Sequence, residues 1–228
     1  MIHPIRAEPE ELARTKGAQQ LTTTAADVVV LLFGGRRAPR ALADLPILDG
    51  LAEIPDTRRL VVVGGDADLA SVLTRLMRDD RLDVEVGHAS RSWHARRART
   101  GEATRLPLIR DETGTVIVGA AYWVGEAGLE KGSPPTKLTG EALVDDTVLF
   151  AGEVTAVRIE PTPTQPGLRA SVQTRNMRPG RWVTGRAAQL GTPGAFVVRD
   201  GVLVPRAVRR STFYRHTKGW LRVGNVKP

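Results

Sequence analysis

Asp66 follows two glycines, Gly64 and Gly65, at the end of the apolar run Leu60-Val61-Val62-Val63, and Ala67-Asp68-Leu69 comes next. A buried strand that runs into paired glycines lets the backbone turn and approach a ligand closely. A helix starting there offers free N–H groups and a positive dipole end to a phosphate. An aspartate at that point can hold Mg²⁺ or a ligand hydroxyl. Equally, Asp66 or Asp68 can do no more than cap the helix. Two carboxylates at the mouth of the loop repel a triphosphate unless a metal intervenes. Gly64, Gly65, Asp66 and Asp68 are therefore the candidate cofactor-binding residues, and Asp66 is also the candidate metal ligand and catalytic group.

Other pairings carry less chemistry. Gly34-Gly35-Arg36-Arg37 also follows an apolar run and could set guanidinium groups over phosphates, or be a solvated turn. Asp145-Asp146 and Asp200-Gly201 read first as turns. Arg206 to Arg222 interleaves Arg209, Arg210, Arg215 and Lys218 with Phe213, Tyr214 and Trp220. Such a stretch can hold single-stranded nucleic acid or a membrane surface, though alternate residues of a strand produce the same pattern. His3, His88, His94 and His216 show no metal spacing, and no His-Glu-x-x-His occurs.

The elements that must position these groups change character along the chain. Residues 1–26 read as a flexible arm. Val28 to Phe33 and Leu60 to Val63 are β-branched runs suited to strands buried on both faces. Arg36 to Leu51 is helix-like but interrupted by Pro39 and Pro46. After Gly65, apolar Leu69, Val72, Leu73, Leu76 and Met77 fall at helical spacing, and Leu82 to Val86 reads as a third strand. That β–α–β order predicts parallel strands. Arg91, Arg96, Arg97 and Arg99 suggest an exposed basic linker over 90–104. From Leu106 onward strand-like segments alternate with turns. The expected fold is an α/β N-terminal part with a short parallel sheet at 27–104, followed by an antiparallel all-β domain at 105–228. Their interface is the expected cleft, with Gly64-Gly65-Asp66 on its floor.

Composition narrows the classes further. The 228 residues contain no cysteine, which excludes disulfides and thiolate catalysis. The longest apolar run is too short to span a bilayer, and a cytoplasmic location is the default expectation. The net charge of +8 favours acidic partners, yet the cations are nearly all Arg, as GC-rich codons also supply.

Leu60 to Leu76 resembles the Gly-Gly-Asp-Gly segment of the diacylglycerol kinase and NAD kinase superfamily, where Val-Val-x-Gly-Gly-Asp-Gly-Thr joins a strand to an amphipathic helix. Val197-Val198-Arg199-Asp200-Gly201 is similar to that family's late apolar-x-Asp-Gly turn. The family's Gly and Thr after the Asp are Ala67 and Asp68 here. Its Pro-x-Gly-Thr-x-Asn segment would fall near Val86 to Ser90, where Gly87 matches and joins the candidate cofactor-binding residues. The resemblance implies an α/β nucleotide domain followed by a β-sandwich domain that returns to it. It further implies an ATP- and Mg²⁺-dependent, diacylglycerol or lipid kinase-like protein, active or catalytically degenerate. The alternatives are a non-catalytic nucleotide- or lipid-binding protein and, less favoured, a basic nucleic-acid-binding protein. The implied partners are a nucleotide, a lipid substrate and a peripheral anionic membrane surface.

Overall fold

A computed structural model describes residues 27–51, 54–125 and 137–224. The predicted arm at 1–26 lies outside the described residues. Strands β1 (Val28–Leu32), β2 (Ile47–Asp49), β3 (Arg59–Val63) and β4 (Glu85–His88) are mutually parallel in the order β2-β1-β3-β4. All five residues of β3 are buried, as its β-branched run requires. Helix α1 (Asp66–Arg78) connects β3 to β4. It places Leu69, Val72, Leu73 and Leu76 against Leu31, Leu60 and Val62 of the sheet.

Two local expectations differ from what is observed. The stretch after β1 forms only a single 3-10 turn, Arg40–Leu42, before the edge strand β2. Pro39 opens that turn and Pro46 removes a donor that a helix would need. The 90–104 segment is not a linker. It carries a 3-10 turn (Ser92–His94), helix α2 (Ala95–Thr100) and β5 (Ala103–Leu106). Ala95 and Ala98, three apart, are small enough to seat α2 on the sheet face opposite α1, beside Val30, Leu42 and Val61.

The remainder is antiparallel. A long sheet is built from β6 (Ile109–Asp111), β7 (Val116–Ile117), β8 (Ala121–Val124), β9 (Leu138–Val144), β10 (Thr147–Val154), β11 (Ala156–Pro161), β12 (Leu168–Gln173), β13 (Pro179–Gly185), β14 (Ala187–Arg199), β15 (Val202–Leu203) and β16 (Val208–Arg215). Strand β14 spans thirteen residues and pairs with β9 and β16 along one half and with β8 and β15 along the other. A core around Trp123, Phe213, Leu138 and Leu168 fills the space this sheet encloses. The Trp123 indole N–H donates to Ser211 Oγ at 3.0 Å, which satisfies the one polar atom that the ring brings into the core.

Two connections lock the parts together. Strand β17 (Trp220–Val223) leaves the antiparallel region and inserts between β4 and β5, parallel to the first and antiparallel to the second. The buried Thr74 hydroxyl of α1 accepts the Val116 N–H of β7 at 3.0 Å. Helix α1 therefore lies between the parallel sheet and the hairpin β6–β7. The fold is an α/β part with a short parallel sheet followed by an antiparallel β part.

Candidate active site

Asp66 is the first residue of α1, at the carboxyl end of the central strand β3. In open parallel sheets this edge is where ligands bind. The β part supplies the opposite wall. The β14–β15 turn carries Asp200, in the left-handed region at φ 46°, followed by Gly201 at φ 85°. Asp200 Oδ1 accepts the N–H groups of Gly119 at 2.7 Å and Ala120 at 3.0 Å, and Oδ2 accepts that of Val118 at 3.0 Å. The turn is anchored from the preceding residue, because Arg199 pairs with the buried Asp111 at 2.7 Å.

Gly119 shows how close the two walls come. A Cβ there would lie 2.7 Å from Asp66 Oδ2 and 3.1 Å from Asp200 Oδ1. Two carboxylates from distant parts of the chain thus converge on one point that only glycine leaves open. Burial pushes the Asp200 carboxyl above its ordinary value; its three N–H partners pull it back, and the Asp66 charge adds to the rise. Arg222 of β17 is half-buried nearby. Burial lowers its guanidinium from the usual value while Asp66 opposes that shift. His88 Nε2 donates to the Gly64 carbonyl at 3.1 Å. Burial holds its imidazole below the ordinary value, against that bond and the Asp66 charge.

The other sequence-derived candidates have distinct places. Asp68 turns back over the loop: its Oδ2 accepts the Gly65 N–H at 2.8 Å. A Cβ on Gly64 would come within 2.8 Å of the Asp68 Cβ, so Gly64 makes room for that carboxylate. Gly87 lies in β4 under α2, where a Cβ would meet the Ala98 backbone, Cα and C both at 2.9 Å. The close seating of α2 thus requires glycine there. Gly34 and Gly35 make a left-handed turn at φ 65° and 64°, and Asp145, in the β9–β10 turn, ties that turn to the start of β14 by accepting the N–H groups of Arg186 and Ala187. Arg99 is paired with Asp44, and Arg91 lies over Trp93.

The structure brings Gly64, Gly65, Asp66 and Asp68 to one place and adds Asp200, Gly119, His88 and Arg222, which motif spacing alone did not connect. The Asp200-Gly201 turn was the one visible signal among these. Between α1 and the β14–β15 turn lies a mostly apolar cavity of about 200 Å³, lined by Ala67, Ala70, Val116, Asp200 and Val202. Among the described residues no set of three or more acidic or histidine side chains is arranged around a metal position. Two carboxylates still suit Mg²⁺, which is commonly held by one or two carboxylates with substrate phosphates completing its shell.

No protein-family model matches the chain, and no curated protein matches it by sequence. Solved structures do match by fold. A diacylglycerol kinase from Bacillus anthracis str. Sterne superposes with a TM-score of 0.62 at 12% identity, over 89% of this chain and 98% of that one. An NAD kinase from Archaeoglobus fulgidus, solved in complex with ATP, superposes with a TM-score of 0.55 at 13% identity, over 87% of this chain and 94% of that one. The chain has the fold shared by diacylglycerol kinase and NAD kinase structures.

Proposed function

We propose that this protein binds ATP with Mg²⁺ in the cleft between its two sheets and transfers a phosphoryl group to a hydroxyl of a lipid-like acceptor. The observation that carries the proposal is the convergence of Asp66 and Asp200 on Gly119 at the carboxyl edge of the parallel sheet. Asp66 would hold the metal or take the acceptor hydroxyl's proton, and Asp200 would stand as its companion, fixed by three backbone N–H groups. The bound metal would supply charge neutralisation for the phosphates. Arg222 adds a fixed positive charge beside Asp66. The apolar cavity beside Asp200 suits the hydrocarbon part of an acceptor. The fold likeness to a diacylglycerol kinase and to an ATP-bound NAD kinase supports the same reading.

Calorimetric titration with ATP and Mg²⁺, paired with phosphoryl transfer to diacylglycerol in mixed micelles, tests the proposal. Asp66→Asn should abolish metal-dependent binding and transfer while the melting temperature barely moves. No heat at millimolar nucleotide in the unaltered protein would remove the proposal. A melting temperature several degrees lower with binding intact would make Asp66 a residue that stabilises the helix start and not one that holds a ligand.

One observation favours a second reading, binding without transfer. The Gly65 N–H, which a phosphate would need, is already taken by the Asp68 carboxylate. An internal anion there mimics the ligand and repels another. The paired change Ala67→Gly with Asp68→Thr frees that N–H. It should raise nucleotide affinity, and unchanged affinity in a folded double variant counts against this second reading.

A further inference from the structure

A cavity of about 520 Å³, lined by neither Asp66 nor Asp200, lies between the end of β5, the loop after β11 and the end of β16. Arg105, Pro107, Pro163, Arg186, Arg215 and His216 contribute to its wall, and no carboxylate does. The state of each cation decides what the cavity could take. Arg105 is occupied: it pairs with Asp83 at 2.6 Å and donates to the Gly219 carbonyl at 2.6 Å. Among the described residues Arg215 has no ion-pair partner. One nitrogen, Nη1, donates to the Pro166 carbonyl at 3.0 Å. Its stem rests against Gly167, where a Cβ would lie 2.8 Å from the Arg215 Cδ, so the side chain is held in place. Arg186 has its backbone N–H bound to Asp145, and with Arg215 it also lines a neighbouring cavity that Asp145 and Asp146 share, but among the described residues its guanidinium has no hydrogen bond or ion pair. His216 Nδ1 accepts from Arg110 Nε at 3.3 Å, which leaves the ring proton on Nε2 as a further donor. The hydroxyl of Thr217 and the amide of Gln165 complete the rim.

This wall is rich in donors and carries two guanidinium groups, those of Arg186 and Arg215, that make no ion pair among the described residues. Guanidinium forks match phosphate oxygens in geometry as well as charge. We propose that the cavity is a binding site for a phosphate-bearing small molecule, separate from the Asp66–Asp200 pair. Its volume exceeds what a single phosphate fills, so the ligand is a phosphomonoester or a polyphosphate rather than the free ion. A second cavity of about 200 Å³, sharing Leu106, Pro107 and Pro163 with the first, extends past Trp220 to Arg222, beside Asp66. The site stands whether or not phosphoryl transfer occurs at Asp66.

The test titrates sodium tripolyphosphate into the full chain by calorimetry, with a chelator present so that no divalent ion bridges to Asp66. Arg186 is exposed, so Arg186→Gln leaves the fold intact. It should weaken binding by about tenfold, and adding Arg215→Gln should abolish it. The control, Arg96→Gln with Arg97→Gln, removes the same charge from α2 and should change affinity less than twofold. Asp66→Asn should leave this binding unchanged, which separates the site from the proposed nucleotide cleft. The proposal is overturned if the unaltered protein binds no tripolyphosphate at low salt, or if Arg186→Gln has no effect. Equal losses in the α2 control would mean diffuse attraction to a basic protein, and loss in Asp66→Asn would place the anion in the other cleft. Either result also overturns it.

Discussion

Asp200 is a single carboxylate that answers three backbone N–H groups at once, and this dual position as anchor and as charge can be separated experimentally. Asp200→Ala leaves those donors without their acceptor and should cost about 1–3 kcal/mol, read as a shift in a denaturant midpoint. Asp200→Asn keeps one acceptor oxygen for Gly119 and Ala120 and removes the repulsion with Asp66, but its amide N–H2 then faces the Val118 N–H, so it should lose stability by less than Asp200→Ala. If both variants lose the same stability, the oxygen shared by Gly119 and Ala120 is not what holds the turn. His88 makes the protein acid-sensitive. Its folded-state value is lowered from 6.5, chiefly by burial. Between that lowered value and 6.5 the unfolded chain binds more protons than the folded one, so stability rises with pH there. The contribution is complete above about pH 6.5 and is lost as pH falls. His216 is lowered too, by burial and then Arg110, and acts in the same sense. Melting temperatures at about pH 7.5 and 5.5 should therefore differ less in His88→Gln than in the unaltered protein. An unchanged difference would assign the effect elsewhere.

Helix α2 shows what a sequence can conceal at the level of an element. Four arginines within nine residues outweighed Ala95 and Ala98, yet those two alanines decide the packing. Their partner is Gly87, some ten residues earlier, so the helix is legible only once the strand beneath it is known. Gly87→Ala should push α2 off β4 and cost about 1–3 kcal/mol, as overpacking does, with the loss visible in a thermal melt. A neutral result would mean that α2 can shift freely. Elements whose signal is local were plain from the start: strands alternate with turns after Leu106, and α1 carries its apolar stripe. The loop Gly64-Gly65-Asp66 was legible for the same reason. Of the companion wall only the Asp200-Gly201 turn was legible, because Gly119 acquires meaning only when that turn from the β part reaches the helix start. Strand β4 was displaced toward the C-terminus from its expected span, because Leu82 serves the core beneath α1 instead of the ladder.

Across the whole molecule the two sheets share their strands' fate. Trp220 and Val223 of β17 are buried between β4 and β5, so the parallel sheet contains residues from the far side of the β part. A fragment of residues 27–104 lacks that strand and the whole Leu106, Leu108, Val116 and Trp220 layer. Such a fragment should show no cooperative thermal transition, and a sharp one would establish an autonomous N-terminal domain. The insertion also bears on the order of events during folding. Leu221 pairs with Glu85, so the entire antiparallel region lies inside the loop that this contact closes. Closing so long a loop is slow unless the intervening chain has already condensed and brought its ends together. The antiparallel region is then the template, and the cleft that holds Asp66 is among the last features to form. A chain still short of that step presents β4 with an open edge, ready to pair with a stranger.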